Sequence, residues 1–217
     1  CPTRSTQAKQ VQCPERFYRN ETGARSDQDC SLCVAGYYCP QGSMAPVDCP
    51  MGSYCVTGVA TAEHCRLGTF GNSSRLRRLE DCTLCHPGYF CDGLGLTRPR
   101  GPCDPGFYCL RGAYTSAPHA PGSPLVDSFG PTGGLCPRGG YCGIGSAVPA
   151  SCPQGTFNNI TGAASSDDCV ACTPGSYCSG TNQPFPAGPC IEGYFCNGSA
   201  TLPTQWATPP GYYTEVG

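Results

Sequence analysis

The chain has 217 residues, 21 of which are cysteine, a density that predicts a disulfide scaffold rather than one large packed core. The net charge is −2 and only 13% of residues are charged, which argues against a nucleic-acid-binding surface or a polybasic membrane anchor. No apolar stretch is long enough to span a bilayer, and we expect any signal peptide or anchor to lie outside this segment.

A long arm of the same type opens each repeat unit. It begins with a cysteine, continues through a turn to an aromatic residue, and runs sixteen residues to the next cysteine. Two further residues separate that cysteine from the short loops that follow. The three arms are Cys13–Cys30, Cys65–Cys82 and Cys152–Cys169.

A short loop recurs seven times, with the pattern Cys, two residues, Gly, one residue, aromatic, Cys. The glycine supplies the backbone freedom of a tight turn, and the aromatic residue is expected to serve as a small core. The alternative is that these rings form an exposed ladder that binds glycan or peptide. The copies are Cys33–Cys39, Cys49–Cys55, Cys85–Cys91, Cys103–Cys109, Cys136–Cys142, Cys172–Cys178 and Cys190–Cys196.

One arm followed by two short loops forms a repeat unit, and this organisation predicts the domains. Repeat 1 covers residues 1–64, repeat 2 covers 65–109 and repeat 3 covers 152–196, while 136–151 carries one extra short loop. A Pro/Gly/Ser-rich insert without cysteine occupies 110–135 and is the best candidate for a hinge or protruding loop. The C-terminal segment 197–217 is expected to be extended, and we expect the array to continue beyond it.

The residue chemistry favours disulfides over metal ligands or redox pairs. Each Cys-x-x-Cys, at Cys30/Cys33, Cys82/Cys85 and Cys169/Cys172, joins one repeat element to the next without the βαβ pattern of a redox domain. Zinc would leave most other cysteines unexplained. The three histidines share no constellation with a nucleophile or a carboxylate. We therefore expect no metal, no cofactor and no enzymatic activity.

Four N-glycosylation sequons support passage through the secretory pathway. Asn20, Asn72 and Asn159 each lie seven residues after the cysteine that opens a long arm, and Asn197 follows the last cysteine. A sequon repeated at one position of the arm predicts N-linked glycans there. The predicted location is the cell surface or the extracellular space.

The arms resemble the ephrin-receptor-like cysteine-rich repeat, most clearly in the third copy. That copy reads Cys-Pro-x-Gly-Thr-Phe, then Gly-Ala, Ser, and Asp-Cys-x-x-Cys. The six-cysteine rhythm also resembles tumour-necrosis-factor-receptor and growth-factor-receptor modules, although Arg16 replaces the usual glycine in the first arm. Large surface proteins and mastigonemes of flagella carry similar loops. The resemblance implies extracellular scaffolding or recognition.

Three disulfide schemes remain open at this point. Local pairing closes every short loop and every arm on itself. The interlocked scheme of tumour-necrosis-factor receptors pairs Cys33 with Cys49 and Cys39 with Cys55, whereas a third scheme staples the hairpins between loops. Three short loops follow Cys82, an odd number that favours local pairing. Under that scheme Cys1 closes a loop whose first half lies upstream.

We expect an elongated rod of small modules with short two-stranded hairpins, little or no helix, and contacts mainly between neighbouring modules. The predicted function is an extracellular structural or assembly protein, such as a stalk, coat or flagellar filament, with self-assembly or neighbouring subunits as partners. The alternative is a ligand-binding receptor ectodomain. Candidate partner contacts lie in the insert and the C-terminal segment: Tyr114, Leu125, Val126, Phe129, Trp206, Tyr212 and Tyr213.

Overall fold

The computed structural model describes residues 12–19, 29–118 and 132–215. These residues form ten two-stranded antiparallel sheets and two short 3-10 helices, Leu79–Asp81 and Ser166–Asp168, and they contain no α-helix. The prediction of small disulfide-rich repeats built from short hairpins is therefore confirmed. Contacts divide the chain into two compact units, Cys1–Leu84 with Cys91–Arg100, and Cys85–Phe90 with Gly101–Gly217.

Each hairpin is assembled in the same way. Its first strand ends at the aromatic residue five positions after the opening cysteine, or at the residue that follows it. Its second strand ends at the residue directly before the next loop. The pairs are β1 Phe17–Tyr18 with β2 Ser31–Leu32, β3 Tyr37–Tyr38 with β4 Val47–Asp48, β5 Ser53–Tyr54 with β6 Glu63–His64, β7 Thr69–Phe70 with β8 Thr83–Leu84, β9 Tyr89–Phe90 with β10 Gly101–Pro102, β11 Phe107–Cys109 with β12 Gly133–Leu135, β13 Gly140–Tyr141 with β14 Ala150–Ser151, β15 Thr156–Phe157 with β16 Val170–Ala171, β17 Ser176–Tyr177 with β18 Gly188–Pro189, and β19 Tyr194–Phe195 with β20 Trp206–Ala207.

The disulfides are local. Short loops close on themselves, as in Cys33–Cys39 and Cys136–Cys142, and the arms close as Cys13–Cys30, Cys65–Cys82 and Cys152–Cys169. Every cysteine from Cys13 to Cys196 is disulfide-bonded. This is the first of the three schemes, and it differs from the interlocked pairing of tumour-necrosis-factor receptors. Cys1 lies outside the described residues.

Half-cystines make up most of the buried core, and the aromatic rings lie half-buried around them. Phe90 packs against the Cys103–Cys109 disulfide, which closes the following loop. Tyr177 packs against Cys190–Cys196 in the same way. A ring therefore covers the disulfide of the next loop rather than that of its own, and this contact joins consecutive loops.

Backbone hydrogen bonds join consecutive loops at equivalent positions. In the first unit the Gly36 N–H donates to the Cys55 carbonyl at 2.8 Å, and the Gly58 N–H donates to the Cys33 carbonyl at 2.8 Å. In the second unit the Gly106 N–H donates to Cys142 at 2.8 Å, and Gly145 donates to Cys103 at 2.9 Å. The loop glycine thus donates to the closing residue of the next loop, and the third residue after that closing residue donates back to the opening cysteine.

Two arms accept the same hydrogen bond from the preceding loop although they have no cysteine six positions after their opening cysteine. The Gly52 N–H donates to the carbonyl of Gly71 at 2.8 Å, and the Gly139 N–H donates to that of Asn158 at 2.8 Å. Because a backbone carbonyl accepts these bonds, the residue type at the closing position is free to vary. The arm cysteine then finds its partner seventeen positions along the chain, as in Cys65–Cys82.

A 3-10 helix brings the far end of an arm back to its opening cysteine. In the third arm the Asp168 carboxylate accepts from the Ala164 N–H at 2.7 Å and the Ser165 N–H at 3.0 Å. These backbone hydrogen bonds hold the pKa of Asp168 below its usual range. Asp81 accepts from the Arg77 N–H at 2.8 Å in the second arm, and its pKa is lowered mainly by that bond.

Contacts reach beyond the neighbouring loop, which the sequence did not predict. A Cβ built on Gly52 would overlap the carbonyl oxygen of Gly95, in the segment that follows the loop after next. Gly52 has φ +79°, a backbone conformation that is strained for any residue with a side chain, whatever surrounds it. Arg16 holds the equivalent φ of 78° in the first arm, where its side chain is exposed. The glycine is therefore required by crowding as well as by φ.

Replacing Gly52 and Gly193 by alanine separates these two effects. Both have nearly the same φ, +79° and +81°, yet nothing lies within 4 Å of a Cβ at Gly193. We expect Gly193→Ala to lower the free energy of unfolding by about 1–2 kcal/mol through φ strain. Gly52→Ala should lower it by about 2–5 kcal/mol because overpacking adds to the strain. Denaturant unfolding under non-reducing conditions measures both, and equal losses would contradict the crowding argument.

Candidate glycosylation and interaction sites

Three of the four sequon asparagines lie on the described surface. Asn72, Asn159 and Asn197 are all exposed, whereas Asn20 lies outside the described residues. Each lies two positions after the last residue of the first strand of its hairpin: Asn72 after β7, Asn159 after β15 and Asn197 after β19. Their positions are accessible to a glycosylating enzyme, and occupancy by glycans stays a prediction.

Two adjacent asparagines in the third arm have opposite roles. The Asn158 side chain is 1% exposed, and its Nδ2 donates to the Gly140 carbonyl at 2.8 Å. Its Oδ1 accepts from the Ile160 N–H at 3.0 Å. Asn158 occupies the position that a closing cysteine holds in the short loops, and its amide replaces the disulfide there. Asn159 is exposed and free to carry the glycan.

The insert begins and ends in a regular hairpin. Strands β11 and β12 pair over three residues, and the Leu110 N–H donates to the Thr132 carbonyl at 2.8 Å. The ends of the insert are thus held together by the ladder that every other connection uses. Tyr114 is half-buried in the described part, whereas Leu125, Val126 and Phe129 lie outside the described residues. A partner-binding role for these four residues stays a prediction.

An aromatic surface lies in the C-terminal hairpin. Phe195 and Trp206 are register partners across β19 and β20, and their rings stack with centroids 5.9 Å apart and an angle of 24° between planes. Each is 38% exposed. A cleft of about 200 Å³ beside them is lined by residues that include Tyr194 and Thr214. This surface contains Trp206, one of the predicted partner contacts.

The segment after β20 is an eleventh loop that the cysteine count concealed. Thr208-Pro-Pro-Gly-Tyr-Tyr-Thr214 has the spacing of a short loop, with threonine in place of both cysteines. The two Oγ1 atoms lie 3.2 Å apart and form a hydrogen bond, and the Thr208 N–H donates to the Gly193 carbonyl as an opening cysteine does. The signal was present in the sequence: Gly211, followed by Tyr212 and Tyr213, matches the Gly-x-aromatic core of the seven short loops.

Tyr212 and Tyr213 are 77% and 87% exposed, far more than the aromatic residues of the preceding loops. Tyr213 occupies the position at which Tyr141 and Tyr177 are half-buried. The sequence predicts that segment 197–217 is extended; in its described part, β20 and the Thr208–Thr214 loop continue the regular pattern of the preceding hairpins. The predicted role of both tyrosines in partner binding stays a prediction.

Two further polar contacts lie outside these regions. Arg75 lies 3.0 Å from Asp48 and 5.1 Å above the Tyr37 ring, and the carboxylate raises the pKa of Arg75 above its usual range. The Ser53 Oγ lies 3.1 Å from His64 Nδ1 across a strand pair. The Ser53 residue is 2% exposed, so its hydroxyl is out of reach of a substrate.

Among the described residues, no cluster of three or more His, Cys, Asp or Glu side chains is arranged to hold a metal ion. No helix in that part of the chain is long and apolar enough to cross a membrane.

No family model matches the chain. It is similar to ABC transporter G family member 28 of Arabidopsis thaliana, with 29% identity over 148 residues, 62% of this chain and 11% of that protein. The similarity to ABC transporter G family member 25 of Oryza sativa subsp. japonica is 33% over 129 residues, 57% of this chain and 10% of that one. Laminin subunit gamma-3 of Mus musculus is 30% identical over 182 residues, 68% of this chain and 11% of the laminin. The chain spans about a tenth of the length of these relatives.

Replacing each of the adjacent asparagines separates the structural amide from the sequon. We expect Asn158→Ala to lower the free energy of unfolding by about 1–3 kcal/mol, because it leaves the buried Gly140 carbonyl without that donor. Asn159→Ala should remove the sequon and leave the unfolding of the unglycosylated protein nearly unchanged. Denaturant unfolding of protein made without glycans measures both variants. A loss at Asn159 as large as that at Asn158 would contradict the assignment.

Replacing Thr208 and Thr214 by cysteine tests the eleventh loop. The double variant should form a disulfide spontaneously, since the two side chains already meet and the other loops close over the same spacing. Closing so short a loop should stabilise the C-terminal hairpin by about 2 kcal/mol. Peptide mapping without reduction detects the bond, and either single variant, which can form no such bond, is the control. Two free thiols in the oxidised double variant would contradict the loop geometry.

Proposed function

We propose that this chain is part of an extracellular structural protein. In this proposal, disulfide-stapled loops and N-linked glycans form an elongated spacer in a cell-surface stalk, coat or filament, such as a flagellar mastigoneme. Neighbouring subunits or further copies of the chain are its partners. It holds no cofactor and catalyses no reaction.

The local pairing of the cysteines carries the proposal. Each cysteine-containing short loop is closed by its own disulfide, and the hydrogen bonds from Gly36 and Gly106 to the next loop repeat the same geometry in the two units. Such an array gains length by adding loops and requires no unique site. Covalent closure also restricts local unfolding, which is the property that a protease-resistant spacer needs.

Several observations support the extracellular placement. Disulfides persist in oxidising compartments and are rare in the cytosol, and every cysteine from Cys13 to Cys196 is oxidised here. The similarity to laminin subunit gamma-3 over 68% of this chain points the same way, as does the resemblance of the arms to ephrin-receptor-like repeats. The exposed positions of Asn72, Asn159 and Asn197 are compatible with glycosylation in the secretory pathway.

A ligand-binding ectodomain is the alternative, and the aromatic surface of the C-terminal hairpin favours it. Trp206, Tyr212 and Tyr213 expose large rings close together in the sequence, and exposed aromatic residues are enriched in binding interfaces. A spacer explains these rings only if a neighbouring subunit or a glycan covers them.

Mass spectrometry of the non-reduced, secreted protein, combined with small-angle X-ray scattering, tests the proposal. We expect the local disulfides, occupied sequons, and a radius of gyration well above the roughly 17 Å of a compact domain of this length. Free thiols and bare asparagines would contradict the extracellular placement. A radius near 17 Å with intact disulfides would contradict the spacer and favour the ectodomain.

A further inference from the structure

Each of the four sequon asparagines follows an aromatic residue by two positions. This holds for the three sequons in the arms and for the one that follows the last cysteine. The pairs are Tyr18 with Asn20, Phe70 with Asn72, Phe157 with Asn159, and Phe195 with Asn197.

Residues two apart along extended chain lie on the same side, and the exposures show this alternation at Asn197. Phe195 is 38% exposed, Cys196 between them is 5% exposed, and Asn197 is exposed. The half-cystine points into the molecule, so the ring and the amide flank it on the outside. A sugar attached to Asn197 therefore begins next to the Phe195 ring.

At the other two described sequons, the preceding aromatic ring is less exposed. Phe157 is half-buried, with the buried Asn158 between it and Asn159. Phe70 is only 4% exposed, so its ring presents almost no surface beside Asn72. The three sequons thus form an internal series of decreasing ring exposure with the same spacing in the sequence.

At Asn197 a second ring enlarges the surface. Trp206 stacks on Phe195 with centroids 5.9 Å apart and is itself 38% exposed. One face of a pyranose ring carries axial C–H groups, which are apolar and weakly positive. Such a face packs well on the electron-rich face of an aromatic ring, as other weakly positive groups do.

We propose that the first N-acetylglucosamine on Asn197 packs against Phe195 and Trp206, whereas the one on Asn72 has no exposed aromatic ring to pack against. The inference rests on the glycosylation proposed above and adds a specific role to it. The sugar covers the exposed aromatic surface, and the surface in turn holds the glycan in one direction. The glycan is then a structural part of the last hairpin, and this surface is closed to a protein partner.

The test uses protein secreted by eukaryotic cells, with the glycans trimmed by an endoglycosidase to a single N-acetylglucosamine. Mass spectrometry first establishes occupancy at Asn72 and Asn197. Nuclear magnetic resonance then compares the two sugars. We expect the ring protons and the acetyl methyl of the Asn197 sugar to shift upfield relative to those at Asn72, because only the former lie over aromatic rings.

Two variants and the single tryptophan supply the controls. Phe195→Leu and Trp206→Leu keep apolar bulk in the hairpin, and each should reduce the upfield shift at Asn197 and leave Asn72 unchanged. Trp206 is the only tryptophan in the chain, so its quenching by acrylamide reports on this surface alone. Asn197→Gln, which prevents glycosylation there, should make Trp206 easier to quench, whereas Asn72→Gln should not.

The outcomes separate the inference from the function on which it rests. An occupied Asn197 whose sugar resonates like that at Asn72, with quenching unaffected by Asn197→Gln, overturns the packing and leaves the glycosylated spacer standing. A bare Asn197 beside an occupied Asn72 also overturns the packing, and bare asparagines throughout overturn the glycosylation itself.

Discussion

The structure depends on one backbone contact, the hydrogen bond from the N–H of a loop glycine to the carbonyl of the residue that closes the next loop. Gly36 and Cys55 form it in the first unit, and Gly106 and Cys142 form it in the second. The bond requires the two backbones to approach closely. A separate close approach, to the carbonyl oxygen of Gly95 beyond the neighbouring loop, leaves no room for a Cβ at Gly52. Rings such as Phe90 then cover the adjoining disulfide and exclude water from it.

Disulfides reinforce this geometry without defining it. The position that closes a loop is held by cysteine in the short loops, by Gly71 and Asn158 in two arms, and by Thr214 in the last loop. A backbone carbonyl is present in every case, whereas the side chain forms a covalent bond, an amide hydrogen bond, a hydroxyl hydrogen bond or no bond. Covalent closure matters most for stability, because loops this small bury too little apolar area to remain folded alone.

The same hairpin also generates the outer surface. Its first strand ends on an aromatic residue, the next residue turns inward, and the one after that faces solvent, which is where the sequons occur. Phe195, Trp206 and Asn197 combine these features with the largest exposed ring area among the described sequons. In a spacer, a ring that no neighbouring loop covers would promote aggregation. A glycan seated on the ring removes that hazard and requires no second protein.

Spacing alone determined the fold class, the arms and the short loops, because cysteine, glycine and an aromatic residue at regular intervals leave few other structures possible. The tertiary structure decided what spacing could not. It selected local pairing, since the glycine turn brings the two cysteines of each short loop together. It also separated buried Asn158 from exposed Asn159, two identical residues side by side, because only the first faces the Gly140 carbonyl. The loop from Thr208 to Thr214 was not predicted from the sequence, because threonine stands there at both positions that cysteine holds in the other short loops. The structure shows the two threonine side chains meeting as those cysteines do.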